Sequence, residues 1–174
     1  MEKKGSILVV DDEETVRTFL AEELKSLKYE VDKAETAMQA LKLMASKRYD
    51  ISFIDIKMPE MSGLQLLDKI KELKIETIPV IITAFKSPET AIAAIEKGAY
   101  DYVNKPILLE DVEILIARAL KRHEIELKRR QAFQRNEEQF SKFNGEASAL
   151  LDEIKSLKEE VNQLLAQQGK PKKY

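Results

Sequence analysis

Cysteine is absent from the 174-residue chain. That excludes disulfides, thiolate zinc sites and cysteine nucleophiles. Histidine occurs once, which excludes a His-rich metal site and weakens most hydrolase schemes. No apolar run approaches the ~20 residues that span a bilayer, so no membrane partner is expected. The N-terminus reaches only four apolar residues before acid follows, which is not a signal peptide. No glycine-rich ATP loop occurs, so the chain is not itself a complete kinase. A one-sided charge is missing too: 29 Lys and Arg stand against 31 Asp and Glu, for a net charge of −2. This balance argues against a protein that coats nucleic acid. What is present is a core-forming share of 44% hydrophobic residues, together with 34% charged residues. The second figure is high and points to a long solvated helix. A soluble, cytoplasmic protein is the expectation.

Three of the five glycines and four of the five prolines lie before residue 108. In that part, apolar runs alternate with amphipathic stretches. Ser6–Val10 is a short continuous apolar run. Val16, Phe19, Leu20, Leu24 and Leu27 follow at helical spacing. Tyr29–Ala34 alternates as a weak strand, and Ala37, Ala40, Leu41 and Met44 mark a second helix. Ile51–Ile54 predicts a strand, Leu64–Leu73 a helix and Val80–Thr83 a strand. Pro88–Lys97 predicts a helix closed by Gly98, and Tyr102–Val103 a last short strand. Runs that are apolar on both faces suit a buried parallel sheet covered by helices on both sides. The expected fold is doubly wound α/β, with its site at the carboxyl ends of the strands.

Asp11 and Asp12, Asp55, Thr83 and Lys105 stand just after those apolar runs. With the first strand central, they would meet at one sheet edge. Crowded carboxylates repel, and a hard divalent cation such as Mg²⁺ offsets that repulsion through oxygen ligands. A carboxylate beside Mg²⁺, a hydroxyl and an ammonium can receive a phosphoryl group. Taken singly, each residue has a plainer reading. Asp12 could cap a helix, Met58–Gly63 could be a turn with Ser62 as a cap, and Lys105 could be solvated.

Taken together, Asp11-Asp12, Asp55-Ile-Lys-Met-Pro-Glu-Met-Ser-Gly63, Thr83-Ala84 and Lys105-Pro106 closely resemble the receiver domain of two-component response regulators. The resemblance covers about residues 5–120. It implies a five-stranded parallel sheet of flavodoxin-like type, with Asp55 as phosphoacceptor. It implies that Asp11, Asp12, Asp55 and the Lys57 backbone carbonyl hold Mg²⁺. It gives Thr83 and Lys105 the phosphoryl oxygens, Tyr102 the role of aromatic switch, and the Lys105–Pro106 peptide a cis geometry. Lys57 and Phe85 fall where the family tunes the lifetime of the phosphoryl group, and a slow loss is expected. The implied partner is a sensor histidine kinase or phosphotransfer protein. No enzymatic activity is expected beyond self-phosphorylation on Asp55 and slow autodephosphorylation.

Residues 1–122 are read as the receiver, 123–168 as a helical extension and 169–174 as a disordered basic tail. From Phe133 the sequence falls into heptads: Phe133, Asn136, Phe140, Phe143, Ala147, Leu150, Ile154, Leu157, Val161 and Leu164. Nine of these ten are apolar, which is a coiled-coil seam. Gly145 falls at an outward position, where a helix bears it at about 1 kcal/mol. A continuous helix is favoured over a hairpin at Asn144-Gly145, because the register runs through without a skip. A homodimer through residues 133–164 follows, and no nucleic-acid partner is expected. Two alternatives remain: the regulatory front of a larger kinase, transcription factor or cyclic-dinucleotide enzyme, or an assembly element acting through its coiled coil.

Overall fold

The computed structural model describes residues 4–84, 87–167 and 171. Phe85 and, apart from Pro171, the tail from residue 169 lie outside the described residues. Ten elements follow in order: β1 (Ser6–Val10), α1 (Glu14–Ser26), β2 (Glu30–Ala34), α2 (Ala37–Ser46), β3 (Ile51–Asp55), α3 (Gly63–Glu72), β4 (Ile78–Thr83), α4 (Pro88–Glu96), β5 (Asp101–Asn104) and α5 (Leu109–Gln167). All strand pairs are parallel, and the sheet order is β2-β1-β3-β4-β5. The expected first strand at the centre is therefore corrected: β3 holds the middle, with β1 beside it. The chain first crosses to β2 on one side of β1 and then builds the rest on the other.

Period-2 alternation divides the core. Ile7, Val9, Phe53, Val80 and Ile82 face one way, against Leu20 and Leu24 of α1 and Val112, Leu115 and Ile116 of α5. Leu8, Val10, Ile54 and Ile81 face the other way, against Ala40 and Met44 of α2, Leu66 and Ile70 of α3, and Ala94 of α4. Both faces are covered, so the central strands need apolar residues throughout.

Local signals set most boundaries. Ser62 and Gln65 form a reciprocal capping box at α3, which satisfies two backbone donors at once. Pro88 opens α4 at its first turn, where its missing N–H is no loss. Gly98, at φ 102°, ends it. The plainer reading of Asp12 as a helix cap does not hold: Glu13 is the N-cap of α1, without a side-chain bond. Strand β4 starts two residues earlier than the sequence indicates, at Ile78, with Pro79 inside it. Proline is disfavoured in an interior strand because it cannot donate to the ladder. Here the β5 ladder begins only at Val80↔Asp101, so no donor is needed from Pro79. Its carbonyl accepts from Tyr100 N–H at 2.7 Å.

A polar cluster lies beside β2. Lys47 Nζ meets Glu30 at 2.6 Å and Asp32 at 2.7 Å. The buried Tyr49 donates its hydroxyl to Asp32 at 2.8 Å. Burial, followed by that bond, pushes the Tyr49 phenol up to about 12.

The chain divides into two units, Met1–Arg122 and His123–Tyr174. In the second, α5 runs through Asn144-Gly145 without a break, as the favoured reading expects. A Cβ at Gly145 would meet nothing within 4 Å. Phe133, Phe140, Phe143, Leu150, Ile154, Leu157, Val161 and Leu164 are all exposed. No helix among the described residues is long and apolar enough to cross a membrane.

Candidate functional site

Strands β1, β3, β4 and β5 deliver Asp11, Asp55, Thr83 and Lys105 to the carboxyl edge of the sheet. Asp11 is wholly buried, Asp55 is 5% exposed and Thr83 3%. Ionisable groups are seldom buried so deeply without a partner. Lys105 supplies it: its Nζ lies 2.9 Å from Asp11 Oδ2, 2.9 Å from Asp55 Oδ1 and 3.0 Å from Glu13 Oε1. The second Asp55 oxygen, Oδ2, accepts the Lys57 backbone N–H at 2.6 Å. Asp11 Oδ1 accepts the Glu13 N–H at 2.9 Å. Arg17 donates to the Asp11 carbonyl at 2.6 Å, which ties the β1 exit to α1. The Thr83 carbonyl accepts the Lys105 N–H at 2.8 Å, and the Lys105–Pro106 peptide is cis.

These surroundings move the charges in opposite ways. Burial raises the Asp55 carboxyl above its ordinary range, and Lys105 only partly offsets it. Burial pulls the Lys105 ammonium down, but its pairs with Asp11, Asp55 and Glu13 prevail and hold it well above its usual value. The lysine therefore stays charged, while Asp55 bears the cost of ionising in a dry place.

The Mg²⁺ implied by the sequence resemblance meets a suitable donor set. One ammonium serves the two buried carboxylates and Glu13, so negative charge is left over. Among the described residues, Asp11 Oδ2 is buried without a hydrogen bond of acceptable direction; the short approach of Lys105 supplies charge but not alignment. An under-satisfied, oxygen-only, anionic cluster fits a hard divalent cation. Asp12, next to Asp11 in the chain, is exposed. No group of three His, Cys, Asp or Glu among the described residues is set to hold a metal unaided.

Tyr102 is 40% exposed. It lines a groove of about 590 Å³ with Asn104, Pro106, Leu108, Ile114 and Arg118. Ala84 is exposed at a bend beyond β4, so no side chain larger than a methyl group stands there.

Two site residues carried no assigned role in the sequence. Glu13 is the third anion on Lys105, and the run Asp11-Asp12-Glu13 was its only signal. Gly63 is required by space. A Cβ on it would lie 2.1 Å from the Asp55 carbonyl oxygen and 3.0 Å from the Ile54 Cγ2. Its N–H donates to the Ile56 carbonyl at 2.9 Å. The start of α3 is thus pressed against the backbone that presents Asp55.

The response regulator receiver domain model matches residues 7–117. The regulatory protein AtoC of Escherichia coli (strain K12) is 37% identical over 114 residues, which are 66% of this chain and 25% of AtoC. The DNA-binding transcriptional regulator NtrC of the same strain is 34% identical over 123 residues, 70% of this chain and 26% of NtrC. The chain spans about a quarter of the length of these curated relatives. A CheY-like receiver domain protein from Methanospirillum hungatei JF-1 is 30% identical with a TM-score of 0.67, covering 70% of this chain and 98% of that structure. With Asp11, Asp55, Thr83 and Lys105 on one edge of a 2-1-3-4-5 parallel sheet, and a family match over most of its length, the chain belongs to the response regulator receiver domain family.

Proposed function

We propose that this chain is a cytoplasmic signalling switch whose Asp55 accepts a phosphoryl group from a sensor histidine kinase or phosphotransfer protein. The observation that carries the reading is the buried Asp11–Lys105–Asp55 cluster at the carboxyl ends of β1, β5 and β3. An Asp55 oxygen attacks phosphorus in line. The donor's phosphorus–nitrogen bond breaks, and its imidazole leaves with the electron pair. Hydrolysis of the resulting acyl phosphate returns Asp55 and inorganic phosphate.

Receiver domains use Mg²⁺ for phosphorylation. Here Asp11, Asp12, Asp55 and the Lys57 carbonyl are the proposed holders, and the cation would neutralise charge on the transferring oxygens. Lys105 already sits on Asp55 and would move onto a phosphoryl oxygen. Thr83, at the adjacent strand end, would donate its hydroxyl to another. Tyr102 would leave its exposed position as Thr83 turns. The change would pass to α5 and to a homodimer through residues 133–164. NtrC is a DNA-binding regulator, but the similarity reaches only a quarter of it, and no nucleic-acid role is proposed for this chain.

The test is size-exclusion chromatography with light scattering, with and without Mg²⁺ and beryllofluoride, on wild type and Asp55→Ala. A change of mass or shape in wild type alone is expected. An equal change in Asp55→Ala would overturn the assignment of the acceptor. A second expectation concerns lifetime. The Lys57 cation can bond a phosphoryl oxygen. Isolated phosphoprotein should therefore lose label slowly, and Lys57→Ala should lose it several-fold faster. Equal rates would remove Lys57 from this role.

A further inference from the structure

The exposed apolar seam of α5 has a direction built into it. With Phe133, Phe140, Ala147, Ile154 and Val161 at heptad position a, position d holds Asn136, Phe143, Leu150, Leu157 and Leu164. From Leu150 onward, a is β-branched and d is leucine. That pairing packs best in a parallel two-stranded coil. The five seam side chains from Leu150 to Leu164 are all exposed on the single chain.

The flanking charges give the same answer independently. Position g carries Glu146, Glu153 and Glu160, and position e of the following heptad carries Lys158. In a parallel pair, g of one chain faces the next e of the other. Glu153 then meets the partner's Lys158, twice by symmetry. In an antiparallel pair, g faces g, and with Leu164 opposite Phe133 the Glu146 of each chain opposes the Glu153 of the other. We infer that residues 147–164 form a parallel two-stranded coiled coil with a second copy of this chain, oriented by the Glu153–Lys158 pairs. This rests on the dimer reading above and adds its strand direction, so that both chains enter the coil at the same end.

The absence of cysteine allows a clean test on the full chain. Light scattering comes first. A two-chain mass is expected; a monomer would overturn the dimer reading itself, and three or four chains would overturn the two-stranded coil. Leu164→Cys is then oxidised alone. A parallel pair places the two thiols side by side at d, and most of the dimer should link. In an antiparallel pair Leu164 lies opposite Phe133, so only mixed Phe133→Cys and Leu164→Cys chains would link; that result, with a two-chain mass, overturns the direction alone.

The charge arm reads a sign. Glu153→Lys should weaken the dimer about tenfold, from two attractive pairs made repulsive. Glu153→Lys with Lys158→Glu should restore it. In the antiparallel arrangement Glu153→Lys would tighten the dimer instead, and a tighter or unchanged dimer overturns the proposal.

Discussion

Asp55→Asn is expected to take up no label from acetyl phosphate and Mg²⁺, and yet to melt no lower than wild type in metal-free neutral buffer. The substitution removes the proposed acceptor, the carboxylate that sits both on Lys105 and at the end of the central strand. The stability half follows from burial. The folded carboxyl of Asp55 is raised above its unfolded value, chiefly because it is buried. A group whose proton favours the folded state contributes stability at low pH and loses it as pH rises through the raised value. At neutral pH wild type therefore bears the full cost of an ionised, dry carboxylate, and asparagine removes it. Lys105 keeps Asp11 and Glu13 as partners, so the ammonium is not orphaned. The gap should close below the ordinary carboxylate range, where Asp55 is protonated in both states. A variant that melts well below wild type at neutral pH would mean that the Asp55–Lys105 pair outweighs burial.

Gly63→Ala is expected to be the most damaging one-methyl change in the receiver. The added carbon would sit 2.1 Å from the Asp55 carbonyl oxygen. Both sides of that contact are backbone, so no flexible side chain can yield. Overpacking of this kind costs about 3 kcal/mol. Either the start of α3 lifts or the end of β3 moves, and the second displaces Asp55, the proposed phosphoacceptor. Urea unfolding should show the loss of stability. Phosphorylation of the remaining folded protein should fall with it. Gly98→Ala is the contrast: φ is +102° there and the space is open, so only torsional strain opposes it, at about 1 kcal/mol. If Gly63→Ala proves as mild as Gly98→Ala, α3 is not pressed against the Asp55 backbone in solution.

The legible part of the site consisted of residues at the ends of apolar runs. Asp11, Asp55, Thr83 and Lys105 each follow such a run, and parallel strands bring their ends together whatever the loops do. The fold was legible for the same reason: strands covered on both faces are mostly apolar, with Ser52 the buried polar exception in β3. What could not be read depends on distances between segments. Glu13 looks like a helix's first-turn acid until Lys105 arrives from 92 residues away. Gly63 looks like a turn glycine, because its φ is ordinary and its neighbour across the contact is backbone. Pro79 concealed the first residues of β4, since a ladder that starts one residue later on β5 is a fact of pairing and not of composition. The position of β3 at the centre likewise depends on which way each crossover runs.

The Lys47–Glu30–Asp32–Tyr49 cluster bears on how copies of this protein avoid meeting wrongly. β2 is an outermost strand, and an outermost strand offers unpaired backbone to any passing chain. Charge placed on that strand penalises an incoming strand, whose apolar side chains would have to settle over an ammonium and two carboxylates. The opposite edge, β5, is only four residues long, too short to template much. With both margins of the sheet made unattractive, end-to-end sheet growth and fibrous aggregation are discouraged. The proposed self-association would then fall to the repeating apolar seam in the far part of α5.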